Sequence, residues 1–253
     1  KTDLRAGVYS NYYNDYGWKH FPGLELGFQA TEEIRLYSGY GKSFRIPTYT
    51  DLYYVGPTNI GNPDLQPEQA QNFEVGAKWT KAGLFAELVY FNRNTDNLIE
   101  WVRPDANTPW QPQNFNEVSF NGIEAAFTYR WQRRSSMLQI KELMLSYNYI
   151  DASLVNQPGV ETRYAFTALR NQMIGGFLVG LGSKIELNTK MRYVERISQD
   201  PYFLLDMRLD YNRIGKLGFF AEVSNMTNTD YIEAGTVQMP GRWLRAGFMI
   251  NLD

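Results

Sequence analysis

Alternation of apolar and polar side chains is the feature that most constrains what this chain can fold into. Successive side chains of a strand point to opposite faces, so an alternating run presents one apolar and one polar surface. Across Pro201–Tyr211 one face reads Phe203, Leu205, Met207, Leu209 and Tyr211, and the other carries Asp206, Arg208 and Asp210. Near the C-terminus Leu244, Ala246, Phe248, Ile250 and Leu252 alternate with Trp243, Arg245, Gly247 and Asn251. Ile185, Leu187, Thr189, Met191 and Tyr193 oppose Lys184, Glu186, Asn188, Lys190 and Arg192. Phe73 to Trp79 and Ile123 to Trp131 repeat the pattern, and looser versions cover 3–12, 22–30, 34–41, 83–92, 140–150, 168–181 and 217–227. These runs predict an all-β chain of about twelve strands with no convincing helix.

Connections alternate in length as well. Short turns fall near 31–33, 81–83, 182–183 and 212–216, with a somewhat longer one near 132–139. Between them lie long, aromatic and Pro/Gly-rich loops near 13–20, 42–70, 99–116, 152–166 and 229–239; 196–201 is a short exception. If neighbouring strands pair as an up-and-down meander, the long loops all leave from one end. Outer-membrane barrels have that asymmetry, with short periplasmic turns and long extracellular loops.

Period two does not say which face is inside, because a soluble sandwich buries its apolar face and a membrane barrel turns it to lipid. Three features favour the barrel. The polar faces mix acids and bases (Glu124 with Arg130, Asp206 with Arg208, Glu186 with Lys190), as a hydrated lumen requires. Aromatics gather at strand ends: Tyr9, Tyr12, Tyr13, Tyr16 and Trp18 at one, Trp79, Tyr129, Trp131 and Tyr211 at the other. Such girdles sit where amphipathic rings meet headgroups. Finally, about ten tilted residues per strand suit a bilayer core.

Composition removes other classes. The 253 residues hold 25 Lys+Arg against 27 Asp+Glu, giving no basic footprint for nucleic acid. With no Cys and a single His, His20, the chain has neither a disulfide framework nor a zinc cluster. Its 39 aromatic residues (18 Tyr, 15 Phe and 6 Trp) argue against disorder. The longest apolar stretch, Ile174 to Gly182, is about half the length of a membrane helix.

Local motifs add a family resemblance. Ser43-Phe44-Arg45-Ile46-Pro47-Thr48 precedes Gly61-Asn62-Pro63-Asp64-Leu65-Gln66-Pro67-Glu68, and then Asn72-Phe73-Glu74-Val75-Gly76. Further on come Phe91 to Ile99, Asn121-Gly122-Ile123-Glu124, Ser224-Asn225-Met226-Thr227-Asn228 and Pro240-Gly241-Arg242. In this order they resemble the C-terminal half of the barrel of TonB-dependent outer-membrane receptors. Independently of that likeness, Pro47, Pro57, Pro63 and Pro67 fix φ and remove donors, so 42–70 can be folded yet strand-free.

The resemblance implies a bacterial outer-membrane receptor that imports a scarce ligand, cobalamin or a ferric siderophore, with energy from TonB. It further implies a barrel of about 22 strands around an N-terminal plug. Residues 1–253 then read as the C-terminal part, with the plug, the TonB-binding segment and about ten strands outside this chain. Partners would be outer-membrane lipid, those missing segments, TonB, the ligand and a surface lipoprotein, with no nucleic acid and no cofactor or metal in this chain. Haem-importing members carry a His in the first motif loop, and Thr48 to Gly61 contains none.

Ligand contact is expected from the long loops: Arg45, Tyr53 and Tyr54 in 42–70, and Trp101, Arg103 and Trp110 in 99–116. Flat aromatics stack on a corrin or catecholate, and an arginine pairs with an anion. His20 reads as a solvated loop residue. Catalysis is disfavoured, since a Ser–His hydrolase needs its His beside the nucleophile. Asp206 and Asp210 are about 13 Å apart along a strand with Arg208 between them, so a lumenal ladder suits them better than a glycosidase pair. The competing reading is a self-contained twelve-stranded barrel, acting as a passive channel or autotransporter translocator. Its N-terminus would carry a pore helix or passenger linker, and Lys1 onward shows neither. The chain ends Ile250-Asn251-Leu252-Asp253, without the aromatic assembly signal common in such barrels.

Overall fold

The alternating runs are antiparallel strands in the computed structural model, which describes residues 1–115, 118–132, 137–153, 160–163, 169–197, 199–214, 217–233 and 237–250. In chain order they are β1 (Thr2–Tyr13), β2 (Gly17–Gln29), β3 (Ile34–Arg45), β4 (Glu68–Lys81), β5 (Leu84–Asp96), β6 (Leu98–Arg103), β7 (Gln111–Phe115) and β8 (Val118–Arg130). They continue with β9 (Leu138–Ser153), β10 (Glu161–Thr162), β11 (Leu169–Leu181), β12 (Ile185–Arg196), β13 (Gln199–Ile214), β14 (Leu217–Ser224) and β15 (Trp243–Ile250). Twelve join one sheet in the order β1-β2-β3-β4-β5-β8-β9-β11-β12-β13-β14-β15. This is the meander that the connection lengths predict. The other three form a small sheet, β10-β6-β7.

By internal contacts the residues divide into two units, the first made of Lys1–Ala77, Val89–Ile123 and Ile150–Ala168. Within it, the register sets Leu4 opposite Leu26 and Ala6 opposite Leu24, and then Leu26 opposite Ser38 and Phe28 opposite Leu36. Leu4, Val8, Leu24, Leu26, Phe28 and Leu36 therefore share one face, and all are exposed. The opposite face of the same strands carries ion pairs: Arg35 with Asp3 at 2.8 Å and Arg5 with Glu25 at 3.6 Å. A sheet that leaves hydrocarbon bare and pairs its charges on the other side is built for lipid on one face and water on the other.

The second unit, Lys78–Leu88, Glu124–Tyr149 and Leu169–Asp253, repeats this division. Leu187 faces Leu209, Met191 faces Leu205 and Tyr193 faces Phe203 on one side of β12 and β13. On the other side Lys141 pairs with Glu186, and Arg208 binds Asp210 at 2.8 Å and Glu222 at 3.3 Å, with Arg245 also on Glu222 at 2.5 Å. Asp206 accepts from the Asn225 main-chain N–H at 2.8 Å. Asp206 and Asp210 thus belong to a polar ladder on this face, Asp206 bonding across to Asn225 and Asp210 holding Arg208 of its own strand, which reaches Glu222 of β14. Arg130 pairs with Glu142 of β9 at 2.6 Å, rather than with Glu124 of its own strand. Cross-strand neighbours are closer than residues six apart along one strand.

The fold departs from several sequence expectations. The loop placed at 13–20 shrinks to a turn over Asn14–Tyr16, because β1 and β2 pair as far as Tyr13 opposite Gly17, whose φ of +66° suits glycine. His20 is consequently a strand residue, opposite Ser10 and hydrogen-bonded to its Oγ at 2.8 Å. Parity also divides the first girdle. Tyr12 and Trp18, 5.5 Å apart, lie on the apolar face, whereas Tyr9 stacks on Phe21 at 5.9 Å on the charged face. The 42–70 excursion contracts to the residues between Arg45 and Glu68, and a short helix, α1 (Tyr49–Tyr53), forms inside it. The 99–116 loop is folded as the hairpin β6–β7, with Leu98 opposite Phe115 and Val102 opposite Gln111.

One apolar cluster lies on the otherwise charged face. Val194, Tyr202 and Leu204 are buried there, with Leu169 and Tyr231 packed against them. The Tyr202 and Tyr231 rings are 4.9 Å apart. Alternation makes this face look polar because Lys190, Arg192, Asp206 and Arg208 share its parity. The segment after β14 folds back over its end, and there burial replaces hydration.

Candidate ligand-binding loops

The loop after β3 is organised from its ends inward. Arg45, the last residue of β3, makes a two-pronged bond to Glu68, the first residue of β4, with Nε to Oε2 at 2.7 Å and Nη2 to Oε1 at 2.5 Å. This joins the arginine of the S-F-R motif to the glutamate of the P-E motif and closes the loop at its base. Glu68 is buried and also accepts from the Ile99 main-chain N–H at 2.7 Å, which fixes the start of β6.

Above that base, Thr48 caps α1. Its hydroxyl accepts from the Asp51 N–H at 3.1 Å, and Asp51 Oδ2 accepts from the Thr48 N–H and hydroxyl at 3.0 and 2.8 Å. This reciprocal capping box satisfies donors that the helix itself leaves free. The other carboxylate oxygen of Asp51 accepts from the Trp101 indole Nε1–H at 3.0 Å. Burial pushes the Asp51 carboxyl up, but the Thr48 and Trp101 hydrogen bonds and the charge of Arg45 outweigh it and hold the group below the ordinary carboxylate value.

The turn glycine of the G-N-P motif has a mechanical reason. A Cβ on Gly61 would lie 2.8 Å from Leu52 and Tyr53 main-chain atoms, so only glycine allows the chain to pass the end of α1. Asn62 Nδ2 donates to the Pro112 carbonyl at 3.1 Å, and Asn114 bonds both main-chain groups of Gln66 at 2.8 and 2.9 Å. These contacts tie the loop to β7.

The six residues singled out from sequence separate into two groups. Arg45 and Trp101 belong to the network beneath the loops, and Trp101 is only 7% exposed. Tyr53 and Tyr54 stand exposed beside Tyr49, whose ring is 5.1 Å from that of Tyr53. Arg103 and Trp110 meet directly, with the guanidinium 4.4 Å from the indole centroid. A second cation joins them: Arg163, just past β10, lies 5.9 Å from the same ring. With the Asn59 amide turned to satisfy both of its ends, its oxygen accepts from Arg163 Nη1 at 3.0 Å. Glu161 holds Arg103 at 2.7 Å.

Arg163, Glu161 and Asn59 escape a reading from sequence, since no motif marks them and they approach Trp110 only through the pairing of β6 with β7 and β10. An indole flanked by two guanidinium groups, on loops tied down at their base, suits a flat or anionic ligand.

Comparison with known proteins agrees with this architecture. The profile of the TonB dependent receptor-like β-barrel family matches residues 1–226. A vitamin B12 transporter, BtuB, of Photobacterium profundum is 25% identical over 242 residues, covering 90% of this chain and 37% of that protein. Among solved structures, the ferric enterobactin receptor PfeA of Pseudomonas aeruginosa in complex with enterobactin matches with a TM-score of 0.74 at 18% identity, over 98% of this chain and 43% of that one. The siderophore receptor PirA of Acinetobacter baumannii gives a TM-score of 0.73 at 15% identity, over 98% and 43%. The chain thus spans a little over a third of the length of that B12 transporter. With nearly all of its strands inside the family profile, the chain belongs to the TonB-dependent receptor β-barrels of the bacterial outer membrane.

Proposed function

We propose that this chain is the ligand-gathering part of an outer-membrane import receptor, which binds cobalamin or a ferric siderophore and moves it inward with energy from TonB. The observation that carries the reading is Trp110 with Arg103 and Arg163 beside it, on a loop sheet braced from below. Such a surface binds planar, anionic or metal-chelating organic ligands by stacking and charge. Similarity to a B12 transporter and likeness in fold to siderophore receptors support the same ligand range. Exposed Tyr53 and Tyr54 extend the stacking surface, while Arg45 and Trp101 act from beneath it. In this reading the plug, the TonB-binding segment and the remaining strands lie in the part of the receptor beyond this chain, and a surface lipoprotein is a further partner. Ligand is carried, not chemically changed.

The test is equilibrium binding of cobalamin and of ferric catecholate siderophores to the full receptor, paired with uptake in cells with and without TonB. Trp110→Ala and Arg163→Ala are each expected to weaken binding of one ligand class about tenfold. Unaltered affinity for every ligand in both variants, or uptake that persists without TonB, removes the reading and restores the passive channel.

A further inference from the structure

Adjacent antiparallel strands can be joined by a tight turn, yet residues 225–242 separate β14 from β15. The first part of this connection runs back over β13 and β12. Asn225, at its start, is 3% exposed and has a φ of +49°. Its main-chain N–H donates to Asp206 of β13. Its amide donates to the Thr229 carbonyl at 2.8 Å and the Pro240 carbonyl at 3.4 Å, and accepts from the Thr229 N–H at 2.9 Å. One buried side chain thus ties the outgoing limb to the returning one. The Thr229 hydroxyl donates to the Phe203 carbonyl at 2.9 Å, which holds the chain on β13. At the far end the Tyr231 ring lies on Tyr202, and Glu233 pairs with Arg192 of β12 at 2.6 Å. The Met239 N–H donates to the Tyr231 carbonyl at 2.9 Å and closes the two limbs on each other.

The position of this strap has a counterpart in the connection lengths. β12 ends at Arg196 and β13 begins at Gln199, so these strands lack a long loop of their own at the long-connection end. Val194, Tyr202 and Leu204 stand beside that short connection on the water-facing side, and Tyr231 of the strap packs against them. Crossing two strands covers roughly 10 Å of wall, and a layer packed on a sheet stands roughly 10 Å from it. In outer-membrane barrels the long-connection end faces the cell exterior. The strap therefore narrows the outer mouth from within, at the one described place where a long loop is missing.

We propose that the strap from Asn225 to Met239 is a fixed size filter for the imported ligand, standing in for the absent β12–β13 loop and keeping bulky relatives of the ligand from entering along this wall. The inference rests on the import reading above. Asn225 is its positioning residue, and Tyr231 and Glu233 are its far anchors. Fastening at both ends makes it a constriction rather than a lid. Glu233 is neutralised by Arg192, and Asp230 accepts from Gln238 at 3.0 Å, so the strap opposes bulk rather than charge.

The experiment compares uptake of paired probes by cells carrying the full receptor. The pairs are radiolabelled cobalamin and a radio-iron catecholate siderophore, each with and without a bulky dye attached. The parent receptor should import a plain form and discriminate against its conjugate. Asn225→Ala should raise the conjugate-to-plain uptake ratio about fivefold, because an unfastened strap leaves the wall and widens the mouth. Affinity for the plain ligand should not change. Tyr231→Ala and Glu233→Ala, which lie in the strap and not in a strand, should act in the same direction. They replace Asn225→Ala should heat-modifiable gel mobility show that it does not fold. Glu186→Gln, on the same face but away from the strap, should leave the ratio as it is. An unchanged ratio in the folded strap variants, an equal loss of both forms, or a parent that takes up both forms equally overturns the filter. Absent uptake of every plain ligand by the parent removes the import reading, and the filter with it.

Discussion

At the scale of single residues, Asp51 carries more of the loop than any side chain that faces outward. It caps α1, anchors Trp101 and faces Arg45 at 3.5 Å. Asp51→Asn keeps the shape but removes the charge and one acceptor geometry, and should destabilise the loop by about 1–3 kcal/mol. Hydrogen exchange of amides 48–62 in the full receptor measures this; protection equal to that of the parent protein would refute it. The pH dependence has a definite sign. The folded carboxyl titrates below its unfolded counterpart, so its stabilisation is fully present above about pH 4 and drains away as the pH falls through the lower folded value. Asp51→Asn should abolish that acid-dependent component of exchange and leave the neutral-pH profile flat. Gly61→Ala tests the close passage beside Leu52: with a Cβ 2.8 Å from main-chain atoms, the backbone must move, at a cost of about 1–3 kcal/mol. Faster exchange should be confined to 46–67, and unchanged exchange there would show that the turn yields freely.

At the scale of the element, strand parity decides where each residue goes. Phe248 of β15 lies opposite Phe219 of β14, and that column continues to Tyr211 on the lipid-directed side of β13. Register with Tyr211 sets Phe248 toward the short-turn end, so Phe248→Arg should cost about 1–2 kcal/mol, below the roughly 2–4 kcal/mol of a mid-bilayer site. Denaturant titration of the receptor folded into lipid measures it, and a change below about 0.5 kcal/mol would move Phe248 off that face. Parity is also why Tyr9 and Tyr12 part company three residues apart: an odd separation sends two side chains to opposite sides. Clustering in sequence resembles a girdle; of the aromatics gathered on β1 and β2, Tyr12 and Trp18 lie on the lipid-directed face and Tyr9 does not.

At the scale of the whole molecule, β1 and β15 end the order of the twelve-stranded sheet, and each presents a row of main-chain donors and acceptors. Hydrocarbon does not tolerate such edges. Residues 1–253 expressed alone should accordingly fail to give discrete single-channel conductance in planar bilayers, whereas the full receptor inserts. Stepwise, uniform channels from the isolated chain would instead favour the self-contained barrel.

How much of this could be read from the sequence depends on the range of the interaction. Twelve strands, their faces and the alternation of turns with loops were legible, because the pleat is local and each side chain records whether its face meets lipid or water. The motifs located the long loops without disclosing what the motifs do there. Arg45 finds Glu68 across 23 positions, and Trp101 finds Asp51 across 50. Arg163 reaches Trp110 only because β6 pairs with both β7 and β10. The sequence alone therefore determined the class of fold and its two-faced surface, through a period set by covalent geometry. Tertiary structure decided which loop residues brace and which face outward, because those roles depend on partners that only chain folding brings within hydrogen-bonding distance.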